Sequence, residues 1–264
     1  MREDRLMKLL VPVSREKRTL LGVAFFVVFV ALWGLVTWSG AVPKHFLASP
    51  WQTVQSAWDL FATQGFIHDV GVTIWRVVGG FVLAAVIAVP LGIAMGTYKP
   101  IEAFFEPFVS FARYLPASAF IPLLILWVGI GEAQKLTVIF IGCFFQLTLM
   151  ITMIVSATRR DLIEAAYTLG CQDTAAIRRV VLPGAAPEIA EALRQVLGLG
   201  WTYIIVAELI GASSGIGHMI TDSQALMATD NIIAGIVIIG LVGLISDLAF
   251  KKVNQRLFAW SLQR

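Results

Sequence analysis

Apolar residues in this chain come in long runs, with the polar residues gathered between them. From Leu136 to Ala157, 22 residues pass without one charge. A hydrocarbon core roughly 30 Å thick is crossed by about 20 helical residues. Six segments qualify: Thr19–Trp38, Val70–Met95, Pro116–Ile130, Leu136–Ala157, Glu191–Ala212 and Ile232–Phe250. The third is short, so it is either re-entrant or extends back through Phe104–Phe111.

Two polar passages carry helical patterns of their own. In "PWQTVQSAWDLF" the residues Trp51, Val54, Trp58 and Phe61 recur at helical spacing. Such a stripe suits a short helix lying on the membrane surface, and equally a helix packed against other spans. The second passage, Glu164 to Pro183, follows the fourth span. Asp161 to Leu169 reads as a helix whose Ala165 and Ala166 keep one side narrow. Gly170 supplies the stop, because glycine tolerates the left-handed backbone of a helix end. Asp173 or Thr174 can cap a second helix running to Val181, with Ile177, Val180 and Val181 as its apolar stripe. Pro183 is expected to end that helix, since proline lacks an N–H and disfavours helical geometry at Leu182. A loop with this much order predicts a binding surface.

Composition turns the six segments into a class. The 264 residues are 58% hydrophobic and 14% charged, against about 25% charge in soluble domains. The chain is therefore an all-α integral membrane protein whose surroundings are lipid, with no nucleic-acid partner expected. The first span is too long for the apolar region of a signal peptide, and no convincing cleavage site follows it, so it reads as an uncleaved anchor. Six spans put both termini on one side, and positive charge decides which. Arg2, Arg5, Lys8, Arg15, Lys17 and Arg18 precede the first span; Lys251, Lys252, Arg256 and Arg264 follow the last. Arg159, Arg160, Arg178, Arg179 and Arg194 surround the Glu164 loop, and Lys99 and Arg113 are read as belonging to the loop after span two. The opposite side holds Lys44 and Lys135. Both termini and the Glu164 loop are expected in the cytoplasm.

Charges inside the spans are the exceptions. Arg76 lies in span two and Glu208 in span five. An isolated charge at mid-bilayer costs about 2.5–3.5 kcal/mol on insertion scales, so the two either pair as structural glue or line a substrate path. Asp247 has Lys251 four residues on, a helical ion-pair spacing. Gly92 and Gly96 form a GxxxG pair, and Gly79-Gly80 and Pro90 add bend points. Cys143 and Cys171 are isolated, and His45, His68 and His218 are scattered, so no metal site or disulfide pattern emerges. No phosphate loop is present, the faintly similar "GIGEAQKL" having Lys135 in the wrong frame. An intramembrane enzyme would need a clustered nucleophile or acid–base pair. An ion-coupled transporter would show internal repeats and several buried ionisable groups. Neither pattern is seen.

Glu164-Ala165-Ala166, three residues, Gly170, nine residues, Val180, two residues and Pro183 resemble the EAA signature of ABC importer permeases. Val180 stands where isoleucine is usual. "RYLPASAFIPLLILWVGIGE", through Arg113, Pro116, Ala119, Pro122, Leu123, Trp127, Gly129 and Gly131, is similar to a segment of the nitrate/taurine/sulfonate/bicarbonate branch. Tyr114 departs where proline is common. Gly200, Trp201, Ala207, Glu208, Leu209, Gly215 and Gly217 match a further pattern of that branch.

The resemblance covers about Val70 to the C-terminus and implies the type I ABC importer permease fold. Residues 1–68 would form the N-terminal tail, first span and interfacial segment, and 69–264 the transmembrane domain with its coupling loop at about 158–188. It implies that Glu164, Ala165, Ala166, Gly170, Ile177, Val180 and Pro183 couple to separate ATPase subunits. Those subunits, rather than this chain, would hold ATP and Mg, so the chain is not itself an enzyme. It further implies an extracytoplasmic substrate-binding protein, a second permease copy or a sibling, and a bacterial inner membrane. Arg76, Arg113, Trp201 and Glu208 are the candidate substrate-path residues. The solute would be a small anion such as taurine or another sulfonate, nitrate or bicarbonate, or else a neutral or aromatic molecule such as a pyrimidine precursor.

Overall fold

The computed structural model describes residues 13–43 and 45–260, apart from the Arg15 side chain. Arg2, Arg5, Lys8, Lys44 and Arg264 lie outside the described residues. The helices are α1 (Arg15–Trp38), α2 (Pro50–Thr63), α3 (Ile67–Thr97), α4 (Lys99–Ala112), α5 (Ile121–Val128), α6 (Glu132–Ser156), α7 (Arg160–Thr168), α8 (Asp173–Ala176), α9 (Leu182–Leu209), α10 (Ile216–Ala225) and α11 (Thr229–Leu257). A 3₁₀ turn, Ala117–Phe120, precedes α5. No strand occurs among the described residues. Five helical stretches are long and apolar enough to cross a membrane. The short third segment is one arm of a bent pair, Lys99–Ala112 and Ala117–Val128, which meet at 84°, the geometry of a broken span or of a re-entrant loop.

The centre of the bundle is the α3–α6 pair. Small residues recur every fourth position on α3, at Gly80, Ala84, Ala88, Gly92 and Gly96. Branched or larger residues recur at the same interval on α6, at Ile139, Cys143, Leu147, Ile151 and Val155. That matches the fourfold ridges of packed helices. A Cβ added to Gly80, Gly92 or Gly96 would fall 2.7, 2.8 or 2.6 Å from Ile139, Ile151 or Val155 respectively. The register is constant, so α3 and α6 run parallel. Between two membrane helices, close backbone approach replaces the hydrophobic drive that water would provide. α3 continues through Pro90 without a break. α9 closes the core with Val196, Trp201 and Ile204.

The two ends of the bundle are distinguishable: α3 begins at the Arg76 end and finishes at the loop end, where α7 and α8 lie. α1 stands at the periphery, exposed along its length, with the Trp33 indole N–H donating to the Ala48 carbonyl at 3.0 Å. α2 is turned so that Trp51, Val54, Trp58 and Phe61 all face outward. Its opposite edge, Thr53, Ser56 and Leu60, is buried, and Ser56 hydrogen-bonds Asn231 of α11. The helix is therefore packed against α11 by the edge opposite the apolar stripe, which stays exposed.

One expectation fails at Pro183. The second helix of the polar loop does not stop there; α8, a π turn at Ile177–Val181 and α9 make one helical stretch of 37 residues from Asp173 to Leu209. Leu182 keeps helical angles, φ −62° and ψ −49°, and its N–H donates to the Ile177 carbonyl five residues back. The wider turn accommodates a ring that would crowd an α-helical turn. Burial of Ala176, Val181 and Ala185 holds the stretch in place.

Candidate functional site

At the Arg76 end, three side chains spaced one turn apart on α3 gather the start of α10. Asp69, Thr73 and Arg76 lie at i, i+4 and i+7, so they share a face. Asp69 accepts from the Gly215 N–H at 2.7 Å and Thr73 Oγ1 from the Ile216 N–H at 2.9 Å. Glu208, in the last turn of α9, accepts from the Gly217 N–H at 2.8 Å and from the Thr73 hydroxyl at 2.9 Å. The opening N–H groups of a helix have no internal partners. Here three consecutive ones are met by two carboxylates and a hydroxyl, where the helix dipole also favours negative charge.

Arg76 locks this arrangement. It is 1% exposed. Nη1 donates to Glu208 at 2.9 Å and to the Ser214 carbonyl at 2.7 Å. Nε and Nη2 donate to both oxygens of Glu132, at 2.8 and 2.5 Å. Arg76 and Glu208 are thus partners, with Glu132 as a second anion. The two glycines of the Gly-x-Gly pattern make room for the carboxylate. A Cβ on Gly215, whose φ is +112°, would lie 2.6 Å from the Glu208 carboxyl carbon, and one on Gly217 would lie 2.5 Å from the Glu208 Cβ.

Sequence reasoning missed Glu132, Asp69, Thr73 and the burial of Lys135. Lys135, one turn into α6, is 2% exposed and donates to the Gly131 carbonyl at 3.2 Å. Its neighbour Gln134 is fully buried with both amide atoms unpartnered among the described residues. The spacing of Asp69, Thr73 and Arg76 on one helix face was the available signal.

The loop end is built differently. Gly170 has φ +81°, its N–H donates to the Tyr167 carbonyl at 2.9 Å, and the Cys171 N–H reaches Ala166 at 3.0 Å. These bonds finish α7 in a tight left-handed turn. Glu164 and Ala165 face outward while Ala166 is buried. Leu169, at the tip, is 85% exposed. Neither Asp173 nor Thr174 caps α8; Gln172 occupies the cap position without a side-chain bond. Asp173 is engaged elsewhere, accepting from the Tyr167 hydroxyl at 3.0 Å across the turn, and this bond raises the phenol above its ordinary pKa. Ile177 and Val180 are half-buried and Val181 fully so, which splits the expected stripe. Pro183 is exposed. On the surface Arg159 pairs with Asp161 and holds that carboxyl below its usual range.

Two further charges are repositioned, and Trp201 is placed in the core. Asp247 pairs with Arg194 of α9, which also holds Glu191, rather than with Lys251. The neighbouring helix presents its guanidinium directly, and a same-helix lysine gains little by comparison. Arg113, expected in the loop after span two, sits instead at the break between α4 and α5. It lines a cleft with Gly142 and Gln146, which flank Phe144 at the midpoint of α6. Trp201 is in the core, donating to Ser246 of α11 at 3.0 Å. The four candidate path residues therefore do not converge: Arg76 and Glu208 lie together at one end, Trp201 faces α11, and Arg113 lines the cleft beside α6.

Residues 88–259 match the family described as "Binding-protein-dependent transport system inner membrane component". The chain is 30% identical over 254 residues to the taurine transport system permease protein TauC of Escherichia coli, covering 94% of this chain and 92% of that one. It is 31% identical to the putative aliphatic sulfonates transport permease protein SsuC of Bacillus subtilis, over 88% of this chain and 84% of the relative. A solved structure of the MetNI methionine ABC transporter in an inward-facing conformation superposes with a TM-score of 0.63 at 19% identity, covering 78% of this chain and 96% of its counterpart.

Proposed function

The chain belongs to the family of binding-protein-dependent transport system inner membrane components, and from that premise we propose how this member works. It is the membrane permease of an ABC importer. Its solute, in this reading, is a small oxyanion, with an organic sulfonate as the first choice; the printed substrates of its relatives, taurine and aliphatic sulfonates, support this. A second permease chain completes the pathway. Separate ATPase subunits hold ATP and Mg, and a binding protein delivers the solute at the Arg76 end. The loop end and both termini face the cytoplasm of a bacterial cell, on the charge asymmetry of the chain.

The observation that carries the reading is the unbroken helix from Asp173 to Leu209. Its 37 residues span roughly 55 Å at 1.5 Å per residue. One end is the exposed loop, where Leu169 offers an apolar knob and Glu164 a carboxylate without a partner among the described residues. The other end is Glu208, tied to α3 and α10 and, through Arg76 and Glu132, to α6. A push from an ATPase on the loop travels down this rod to the clasp that closes the opposite end. Gly170, Ala165 and Ala166 shape the docking surface; Ile177, Val180 and Pro183 lie where the loop becomes the rod. Arg113 is the member of the original four kept for the solute path. Arg76, Glu208 and Trp201 are assigned to structure by their saturated contacts.

The test uses the assembled transporter with Cys171→Ser. Leu169→Cys should crosslink to the ATPase subunit and stay unlabelled by an impermeant thiol reagent in intact cells. Leu226→Cys, exposed after α10, should be labelled from outside. Labels on the opposite sides would reverse the orientation, and no crosslink at Leu169 would remove the docking role.

A further inference from the structure

Arg76 and Arg113 are treated in opposite ways. Arg76 is surrounded by carboxylates. Arg113, at mid-depth, has no carboxylate within ion-pair distance among the described residues. Its partner is its own neighbour: Nη2 donates to the Tyr114 hydroxyl at 2.8 Å, and the guanidinium lies over the Tyr114 ring, 4.7 Å from its centroid. That contact uses one of five N–H donors. The others point to no protein acceptor among the described residues, from an exposed side chain.

What faces Arg113 is a built cleft of about 50 Å³ between the α4–α5 break, α6 and α9. Gly142 creates it. A Cβ there would lie 2.4 Å from the Tyr203 ring, so only glycine lets Tyr203 lie flat against α6. Gln146, one turn further along α6, completes the wall, and neither it nor the Tyr203 hydroxyl has a side-chain hydrogen bond among the described residues. A cation at this depth is costly unless water or an anion reaches it. A broken helix at mid-membrane is where transport proteins place such contacts.

We propose that Arg113, Gln146 and Tyr203 form a way-station for a monovalent oxyanion halfway across the membrane, with Tyr114 as the positioning residue that aims the guanidinium. Guanidinium N–H pairs match the oxygen spacing of a sulfonate, the Gln146 amide adds donors, and the Tyr203 ring accepts the organic part. This rests on the anion reading above but is tested apart from it.

The probes are an anionic and a cationic methanethiosulfonate reagent on Gln146→Cys, in the assembled transporter with Cys143→Ala and Cys171→Ser. The anionic reagent should react about tenfold faster than the cationic one, as a focused positive field in a cleft would cause. Arg113→Gln should bring the ratio to near unity with an unchanged melting temperature. Tyr114→Phe, which keeps the ring and loses the hydroxyl, should fall between. No reaction with either reagent, or a ratio indifferent to Arg113, overturns the site. If the preference is present while wild-type transporter takes up no ethanesulfonate, the sulfonate reading fails and the anion site stands.

Discussion

The two ends of the long helix from Asp173 to Leu209 are built on opposite rules. At the Glu208 end the charged groups of the clasp are paired: three backbone N–H groups, a hydroxyl and a guanidinium converge on Glu208, Glu132, Asp69 and Thr73. At the Asp173 end the strong groups face outward, with Leu169 bare, Glu164 unpartnered among the described residues, and a glycine turn held by two backbone bonds. A paired cluster built around a buried guanidinium and a buried carboxylate resists change, because losing either strands the other. An unsaturated, solvated turn contributes little to stability and is free to be completed by another surface. One helix therefore joins a region made to hold to a region made to be gripped.

Removing a member of the clasp should separate the ends most sharply. Glu208→Ala or Arg76→Ala leaves buried charge unpaired, a loss of about 3–5 kcal/mol, read as a fall in melting temperature and yield of the purified transporter. The charge-swapped pair, Arg76→Glu with Glu208→Arg, should give no rescue. An arginine at 208 cannot accept from the Gly217 N–H or the Thr73 hydroxyl, and Glu132 would face a carboxylate. Recovery of stability by the swap would reduce the clasp to a simple ion pair.

A smaller effect is expected from Gly217→Ala. Its methyl overlaps the Glu208 Cβ at 2.5 Å, and overpacking of this kind costs about 1–3 kcal/mol. A melting temperature equal to wild type would mean that α10 shifts freely, contrary to its three tethered N–H groups.

Least change in stability belongs to Gly170. A Cβ there meets nothing within 4 Å, so Gly170→Ala meets only the left-handed backbone penalty of about 1–2 kcal/mol, confined to the loop. Gly170→Pro cannot adopt the turn at all, and ATP-driven uptake in proteoliposomes should vanish while the bundle still melts near the wild-type temperature. Normal uptake by Gly170→Pro would show that the turn is not where force enters. Equal destabilisation at Gly170 and Glu208 would erase the contrast between the ends.

What the chain order alone determined is whatever depends on neighbours in sequence. Burial of apolar surface in lipid is summed residue by residue along a helix, so the long spans could be located from hydropathy. The Gly170 turn was equally legible, because a left-handed helix end is decided within a few residues. The tertiary structure decided everything that depends on which charges meet. Glu132 finds Arg76 from 56 positions away and Glu208 from 132; no local pattern ranks those partners above Lys251 for Asp247, or above solvent for Lys135. It also overruled local preference at Pro183, where packing of Val181 and Ala185 and a widened turn carry the helix through a residue that ordinarily ends one. And it placed Arg113: the same Arg-Tyr pair would be a loop charge at the end of a straight span, and instead lies beside the middle of α6 because α4 and α5 meet at 84°. Electrostatic energy depends on distance and dielectric, and both are properties of the folded arrangement rather than of the order of residues.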